Sequence, residues 1–165
     1  MRKTKPNKIS SLRRYYLPDS VVFVTTSTKN KVPVFQSSKN AQVLTDLLYG
    51  LRKENKLKLY AFVVMPDHLH VVFLPMLPEN LSTILHKLKR RSSREINEKS
   101  RSKGALWERR FYDRIIRNEE EFSKAIDYLY WNPVKAGLSE TPERYPFSSA
   151  SPIWETDLQE FLSKP

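Results

Sequence analysis

The sequence predicts an α+β sandwich, with one antiparallel sheet of four to five strands and helices packed mainly on one face. Three observations carry that expectation. A stretch dense in β-branched and aromatic residues runs from Lys56 to Pro75 and folds back on itself at Pro66-Asp67, as a hairpin does. Segments with helical i, i+3, i+4 spacing lie on either side of it, each next to a further strand signal. Read in order, the elements are β-α-β-β-α-β-α, the succession of a ferredoxin-like or RNA-recognition-type sandwich.

Each element has its own justification. Residues 1–19 form a basic, polar arm with no clear period, and Ser20 to Thr28 (Val21, Val22, Phe23, Val24, Thr25, Thr26) has high β-propensity. Lys29-Asn30-Lys31 breaks that strand, and Val32-Pro33-Val34-Phe35 reads as short and extended. Ala41, Leu44, Leu47, Leu48 and Leu51 mark a helix from Ser38 that Asn55 can end. Both parities of the central hairpin are apolar, so both faces of the sheet should be covered there. A second helix spans about Glu79 to Ser100, its stripe made by Leu81, Ile84, Leu85 and Leu88. Leu106 to Arg117 reads as another strand. Asn118 then caps a helix whose first turn is Glu119-Glu120-Glu121, with Glu121 at the capping-box position. Phe122, Ala125, Ile126 and Leu129 are its buried stripe, and Pro133 should stop it at Asn132. The tail, residues 139–165, is loop-rich and ends in one short helix.

Composition bounds the function. At 165 residues and 19.5 kDa the chain reads as a single domain, residues 1–165, able to bury a real core. It has no cysteine, so disulfide frameworks and thiolate metal sites are excluded. No apolar run is long enough to span a membrane, and the basic start lacks a signal peptide's apolar core. The expected compartment is the cytoplasm. The formal net charge of +11 points to a polyanion, nucleic acid before a membrane surface. From Lys87 to Arg117 there are 12 Lys and Arg against 4 Asp and Glu, whereas the residues after Leu138 hold 5 acids and 2 bases. The basic middle, above all Lys87, Lys89, Arg90, Arg91 and Arg94, should face that partner. Trp107, Tyr112 and Trp131 could stack unpaired bases beside it, although each taken singly reads more readily as a core residue.

The chemistry-bearing constellation is small. His68 and His70 are i and i+2 on a strand and so point to one face, near enough to grip one metal ion or simply to pack side by side. Tyr128 and Asn132 are four apart on the last long helix and share a face. Two imidazoles and one amide oxygen would make a three-donor site with open positions, which a catalytic ion requires. A phenol beside it could act as a nucleophile. Two other readings fit the same residues: a non-catalytic nucleic-acid-binding module of this fold, and a zinc-dependent hydrolase.

Four stretches in order carry a resemblance: Arg13-Arg14-Tyr15-Tyr16-Leu17-Pro18, Met65-Pro66-Asp67-His68-Leu69-His70, Trp107-Glu108-Arg109-Arg110-Phe111-Tyr112-Asp113, and Tyr128 through Leu138. Together they resemble the REP-associated tyrosine transposases, relatives of the single-tyrosine HUH transposases of small insertion sequences. The resemblance implies a single-stranded DNA endonuclease and strand transferase that cleaves at or beside hairpin-forming palindromic repeats. It implies Tyr128 as nucleophile, giving a 5′-phosphotyrosine, and His68, His70 and Asn132 as ligands of a divalent metal, Mg²⁺ or Mn²⁺. Insertion-sequence relatives often have glutamine in the place of Asn132. Arg13, Arg14, Arg109, Arg110 and Lys135 join the basic belt as candidate DNA contacts. The partner is single-stranded DNA with a hairpin, and the protein is expected to act as a monomer, with a dimer as the alternative.

Overall fold

The structure, a computed structural model, describes residues 19–163. Four strands, β1 (Val22–Ser27), β2 (Leu57–Met65), β3 (His68–Pro75) and β4 (Tyr112–Ile115), form one antiparallel sheet in the order β2-β3-β1-β4. That is the strand order of the ferredoxin-like sandwich. Four helices accompany it: α1 (Ser38–Lys53), α2 (Leu81–Ser100), α3 (Glu119–Lys135) and the short α4 (Leu158–Leu162).

Strand parity sorts the core into two. Val22, Val24, Leu69, Val71 and Phe73 point to the face covered by α1 and α2, with Leu44, Leu48, Ile84, Leu85 and Leu88 packed on them. Phe23, Ala61, Val63 and Val72 point the other way, against Phe122, Ala125, Ile126 and Leu129 of α3. Two long helices thus share one face, and α3 lies on the other with the short α4 beside it. Each large apolar side chain withdrawn from water in these layers is worth about 1.5–3 kcal/mol.

Local chemistry sets the boundaries. Asn55 takes the left-handed conformation (φ 52°) after α1, and Lys56 N–H donates to Leu51 O while Asn55 N–H donates to Arg52 O. Those two bonds close the helix in a Schellman motif. At α3, Asn118 Oδ1 accepts from Glu121 N–H at 2.8 Å, as the cap requires, but Glu121 Oε2 accepts from Arg117 N–H rather than completing the box.

Three elements differ from the sequence expectation. α3 does not stop at Asn132: Pro133 sits inside its last turn. Only one intrahelical donor is lost there, and Leu138 N–H donates to Pro133 O as the turn closes over Gly137 (φ 71°). The segment Val34–Gln36 is a 3-10 turn rather than extended. The last strand is only four residues, because Trp107 bridges Thr28 while Tyr112 pairs with Thr25. Three steps along β1 are thus matched by five along the partner, so residues 108–111 bulge outward. Trp107, a candidate base platform, is instead buried, its Nε1–H donating to Ser92 Oγ at 2.9 Å.

The C-terminal segment straps the outer edge of the sheet. Val64 N–H donates to Phe147 O, Ser149 N–H to Phe62 O and Asp157 N–H to Leu59 O, which occupies the open side of β2. Asp157 also accepts from Arg52 and from Leu59 N–H at 2.8 Å. Burial works to raise its carboxyl, but those donors prevail and hold it below the usual value. Its contribution is therefore present above the ordinary carboxylate range and is lost as the pH falls through it. Asp157→Ala should cost about 2 kcal/mol by leaving Leu59 N–H and Arg52 unpaired. It should also expose residues 147–163 to protease, read by limited proteolysis and a denaturant titration; an unchanged cleavage pattern would show that the strap does not depend on this carboxylate.

Candidate active site

The site begins with β3. Its alternation sends Leu69, Val71 and Phe73 into the α1–α2 core and His68 and His70 to the α3 face. The two imidazoles lie 4.6 Å apart, centroid to centroid, at 77°. Each is tied at Nδ1: His68 to Asp67 Oδ1 at 2.5 Å, and His70 to Thr25 Oγ1 at 2.7 Å. A carboxylate only accepts, so His68 Nδ1 carries the hydrogen of that bond and Nε2 takes no part in it. His70 is only 5% exposed. Burial, then His68 and Lys31 nearby, outweigh Asp67 and push its pKa down to about 3. It is therefore a neutral imidazole at any ordinary working pH, the form that coordinates metals.

α3 brings the phenol. Its buried stripe seats it on Phe23, Val63 and Val72, and Tyr128, next to Leu129, meets the sheet at the stripe's edge. The Tyr128 ring packs edge-on to His70 at 5.2 Å and to Phe23 at 6.0 Å. Nonetheless Tyr128 is 45% exposed, so the phenol is both anchored and reachable. Asn132, one turn on along the same face, is half-buried. Tyr130 contrasts with it, since burial pushes its phenol up despite a hydrogen bond with Ser149.

The predicted cations divide by location. α2 lies behind the sheet from the imidazoles. Along it, Lys87 is paired with Glu79, Arg91 approaches Glu54 at 3.8 Å, and Arg94 approaches Glu98 at 3.6 Å. Lys89 Nζ donates to Glu108 O at 2.9 Å and lies 5.5 Å from the Phe111 ring. Arg90 is exposed. Arg109 and Arg110 are exposed on the outward bulge, and Glu108 N–H donates to Ser27 O, the residue opposite His68. Those two arginines thus stand at the imidazole end of the sheet. Lys135 is exposed in the last turn of α3, beyond Asn132. Arg13 and Arg14 lie outside the described residues. Tyr112, a candidate base platform in the sequence, and Arg114 lie on the site face of β4, and only strand pairing shows where they point.

A ferredoxin-like sheet that sets two strand imidazoles against a helix-borne phenol defines the HUH single-tyrosine class of DNA-transposing enzymes. The chain belongs to the IS200-like transposase family, whose model matches residues 20–129. It is 27% identical over 142 residues to the REP-associated tyrosine transposase of Escherichia coli strain K12, covering 86% of this chain and 82% of that one. A Haemophilus influenzae protein, provisionally named for the same group, is 25% identical over 158 residues, covering 86% and 85%. Among solved structures, the REP-associated tyrosine transposase bound to a REP hairpin superposes with a TM-score of 0.70 at 27% identity, covering 91% of this chain and 93% of that one.

The neutral imidazole has a thermodynamic signature. Unfolded, His70 binds a proton near pH 6.5; folded, it does so near pH 3. Between those values the unfolded chain holds the extra proton, so stability falls on acidification and is fully present above about pH 6.5. In chelator, wild type should lose about 2 kcal/mol more than His70→Gln between about pH 7 and about pH 5. Denaturant midpoints measure this, and parallel pH slopes for the two proteins would sink it.

Proposed function

We propose that this chain is a metal-dependent single-stranded DNA endonuclease and strand transferase acting at hairpin-forming palindromic repeats. The observation that carries the reading is the packing of an accessible Tyr128 against a paired, neutral His70. Tyr128 attacks the scissile phosphate in line; its oxygen bonds to phosphorus as the P–O3′ bond breaks. The products are a 5′-phosphotyrosine and a free 3′-hydroxyl. Because the new ester is another phosphodiester, a second 3′-hydroxyl can reverse the step and join strands without ATP.

His68, His70 and Asn132 are the residues that would hold Mg²⁺ or Mn²⁺, which when bound polarises a non-bridging phosphate oxygen. The donor chemistry fits: each Nδ1 is tied by a neighbour, which leaves Nε2 as the coordinating atom. Among the described residues no group of three His, Cys, Asp or Glu could hold a metal; the third donor in this reading is the amide oxygen of Asn132, one turn from Tyr128 on the same face of α3. Asp67 and Thr25 orient the two rings. Proton loss from Tyr128 has to be favoured at the site, because a phenol ordinarily titrates near pH 10.

The proposed DNA surface is continuous. Arg90, Arg91 and Arg94 meet the stem, Arg109 and Arg110 carry the path round to the imidazole end, and Lys135 continues it along α3. Arg13 and Arg14 add the arm. Lys87 and Lys89 support the path, Lys89 by holding the 108–111 bulge to α2. The partner is a DNA hairpin with single-stranded flanks, engaged by one copy of the chain in the cytoplasm.

Covalent trapping decides the nucleophile. Tyr128→Phe should abolish the protein–DNA adduct while leaving hairpin affinity nearly unchanged, and Tyr130→Phe should keep the adduct. An adduct that survives in Tyr128→Phe would assign the chemistry elsewhere. Chelation, His68→Ala and His70→Ala should each stop cleavage, and added Mg²⁺ or Mn²⁺ should restore only the chelated wild type. Full cleavage in excess chelator would remove the metal from the mechanism.

The cationic path is read from salt. Each lost phosphate contact flattens the slope of log affinity against log salt by roughly 0.7–0.9. Arg109→Ala with Arg110→Ala should flatten it by about 1.5 on one hairpin oligonucleotide. A slope equal to wild type would move the DNA off the bulge.

A further inference from the structure

We propose that Tyr112 and Arg114 form a single-stranded DNA subsite on the edge strand β4, with Tyr112 stacking on a base of the flank and Arg114 binding an adjoining phosphate. That this phosphate is the one Tyr128 attacks rests on the function proposed above. The register fixes the face. Thr25 pairs with Tyr112 on one side and His70 on the other, and Phe23 pairs with Arg114. Directly opposed residues of an antiparallel pair point to the same face. Tyr112 and Arg114 therefore share the face of Phe23, Thr25 and His70, while Asp113 and Ile115 point to the other, where Ile115 packs on the α1–α2 core.

Neither side chain serves the fold much. Tyr112 is 60% exposed, in contrast to Trp107 and Phe111 just before it, which turn into the core. Arg114 has no carboxylate partner among the described residues, whereas Arg52, Arg91, Arg94 and Arg144 all have one. Its guanidinium instead lies 5.4 Å from the Phe23 ring. That ring also takes the edge of Tyr128 at 6.0 Å and packs against His70 at 5.7 Å. One phenylalanine thus gathers the uncommitted cation, the accessible phenol and the buried imidazole.

The chemistry of the pair suits a nucleotide. A guanidinium offers a planar fork of donors that matches two phosphate oxygens. A tyrosine ring gives any base a face to stack on, without regard to sequence. At i and i+2 the two project side by side, roughly 6–7 Å apart at Cα. Among the described residues no strand pairs with the far side of β4, and both side chains are exposed. A charge fixed over Phe23 would also lower the cost of forming a phenolate at Tyr128, because both groups lie against that ring.

The test uses the full chain and a palindromic DNA hairpin carrying a single-stranded flank, with an abasic nucleotide or an uncharged methylphosphonate walked along the flank. Affinities are measured for wild type, Tyr112→Ala and Arg114→Ala. At one flank position the abasic nucleotide should weaken wild type about tenfold, and Tyr112→Ala no further. At a neighbouring linkage the methylphosphonate should behave the same way with Arg114→Ala. Tyr112→Phe should retain wild-type affinity, and Arg114→Lys should fall between wild type and alanine, which separates these roles from any effect on folding. Losses that multiply independently at every position, or a wild type that binds flanked and blunt hairpins equally, would overturn the ledge. Adduct formation on the unmodified probe is scored in parallel. Coupling without an adduct defeats the cleavage reading but leaves the subsite; an adduct without coupling defeats the subsite alone.

Discussion

The register of β3 against β1 is the constraint on which the rest of the molecule depends. Side chains along a strand alternate, so a slip of one residue would drive both imidazoles into the α1–α2 core and expose Leu69, Val71 and Phe73. The register is pinned at the hairpin turn. Thr28 N–H donates to Asp67 O at 2.9 Å, the Thr28 hydroxyl lies 2.7 Å from Val32 O and 3.0 Å from Asp67 O, and Phe35 N–H donates to Pro66 O at 2.9 Å. Each such bond contributes only about 0.5–1.5 kcal/mol, but together they admit a single alignment at the residue preceding His68. Asp67, held there by its backbone, then orients His68 with its side chain.

Much of this was legible in the sequence because it is local or periodic. The β-branched hairpin, the His68-Leu69-His70 alternation, the α1 stripe ending at Asn55 and the Asn118 cap all depend on neighbours within a turn or a strand. What could not be read depends on residues distant in the chain. Trp107 could be read as a core residue or as a base platform, and its partners decide for the core: Ser92 fifteen residues earlier supplies its hydrogen bond and Phe35 its packing at 5.2 Å. Pro133 looked like a stop, but a missing donor in a closing turn costs little when the next carbonyls are satisfied. The site's imidazole pair and phenol were readable from spacing and family likeness. Tyr112 was readable as a candidate base platform, but that it shares a face with Arg114 and the imidazoles was not, since that facing follows from how β4 pairs with β1.

The charge of the chain is less free than its sum suggests. Of the α2 cations, Lys87, Arg91 and Arg94 each face a carboxylate, and Lys89 is turned to a backbone oxygen and an aromatic ring. The exposed pairs of Arg91 and Arg94 are worth about 0–1 kcal/mol, so phosphates can displace them at little cost, whereas Lys87 is held by the buried Glu79. Arg109 and Arg110 at the bulge and Arg114 on β4 face no carboxylate among the described residues, and neither do Arg90 on α2 and Lys135 on α3. The same excess of residues that shortened the last strand is what projects Arg109 and Arg110 toward the imidazole end. An irregularity in pairing thus converts a run of charge in the sequence into a directed surface.

The site is divided between two carriers, and their attachments differ. The imidazoles ride on a strand paired on both sides, whereas the phenol and the amide ride on a single helix resting on one face of the sheet. α3 has a second support: Phe161 of α4 stacks on Phe122 at 3.8 Å, and both meet Tyr60 edge-on at 5.6 Å. The strap that closes the β2 edge through Asp157 therefore also presses the first turns of α3 onto the sheet. Loosening it would leave His68 and His70 in place while freeing the helix that positions Tyr128. A displacement of about 1 Å between reacting groups can cost on the order of a hundredfold in rate. The C-terminal segment is thus part of what sets the distance between the phenol and the imidazoles.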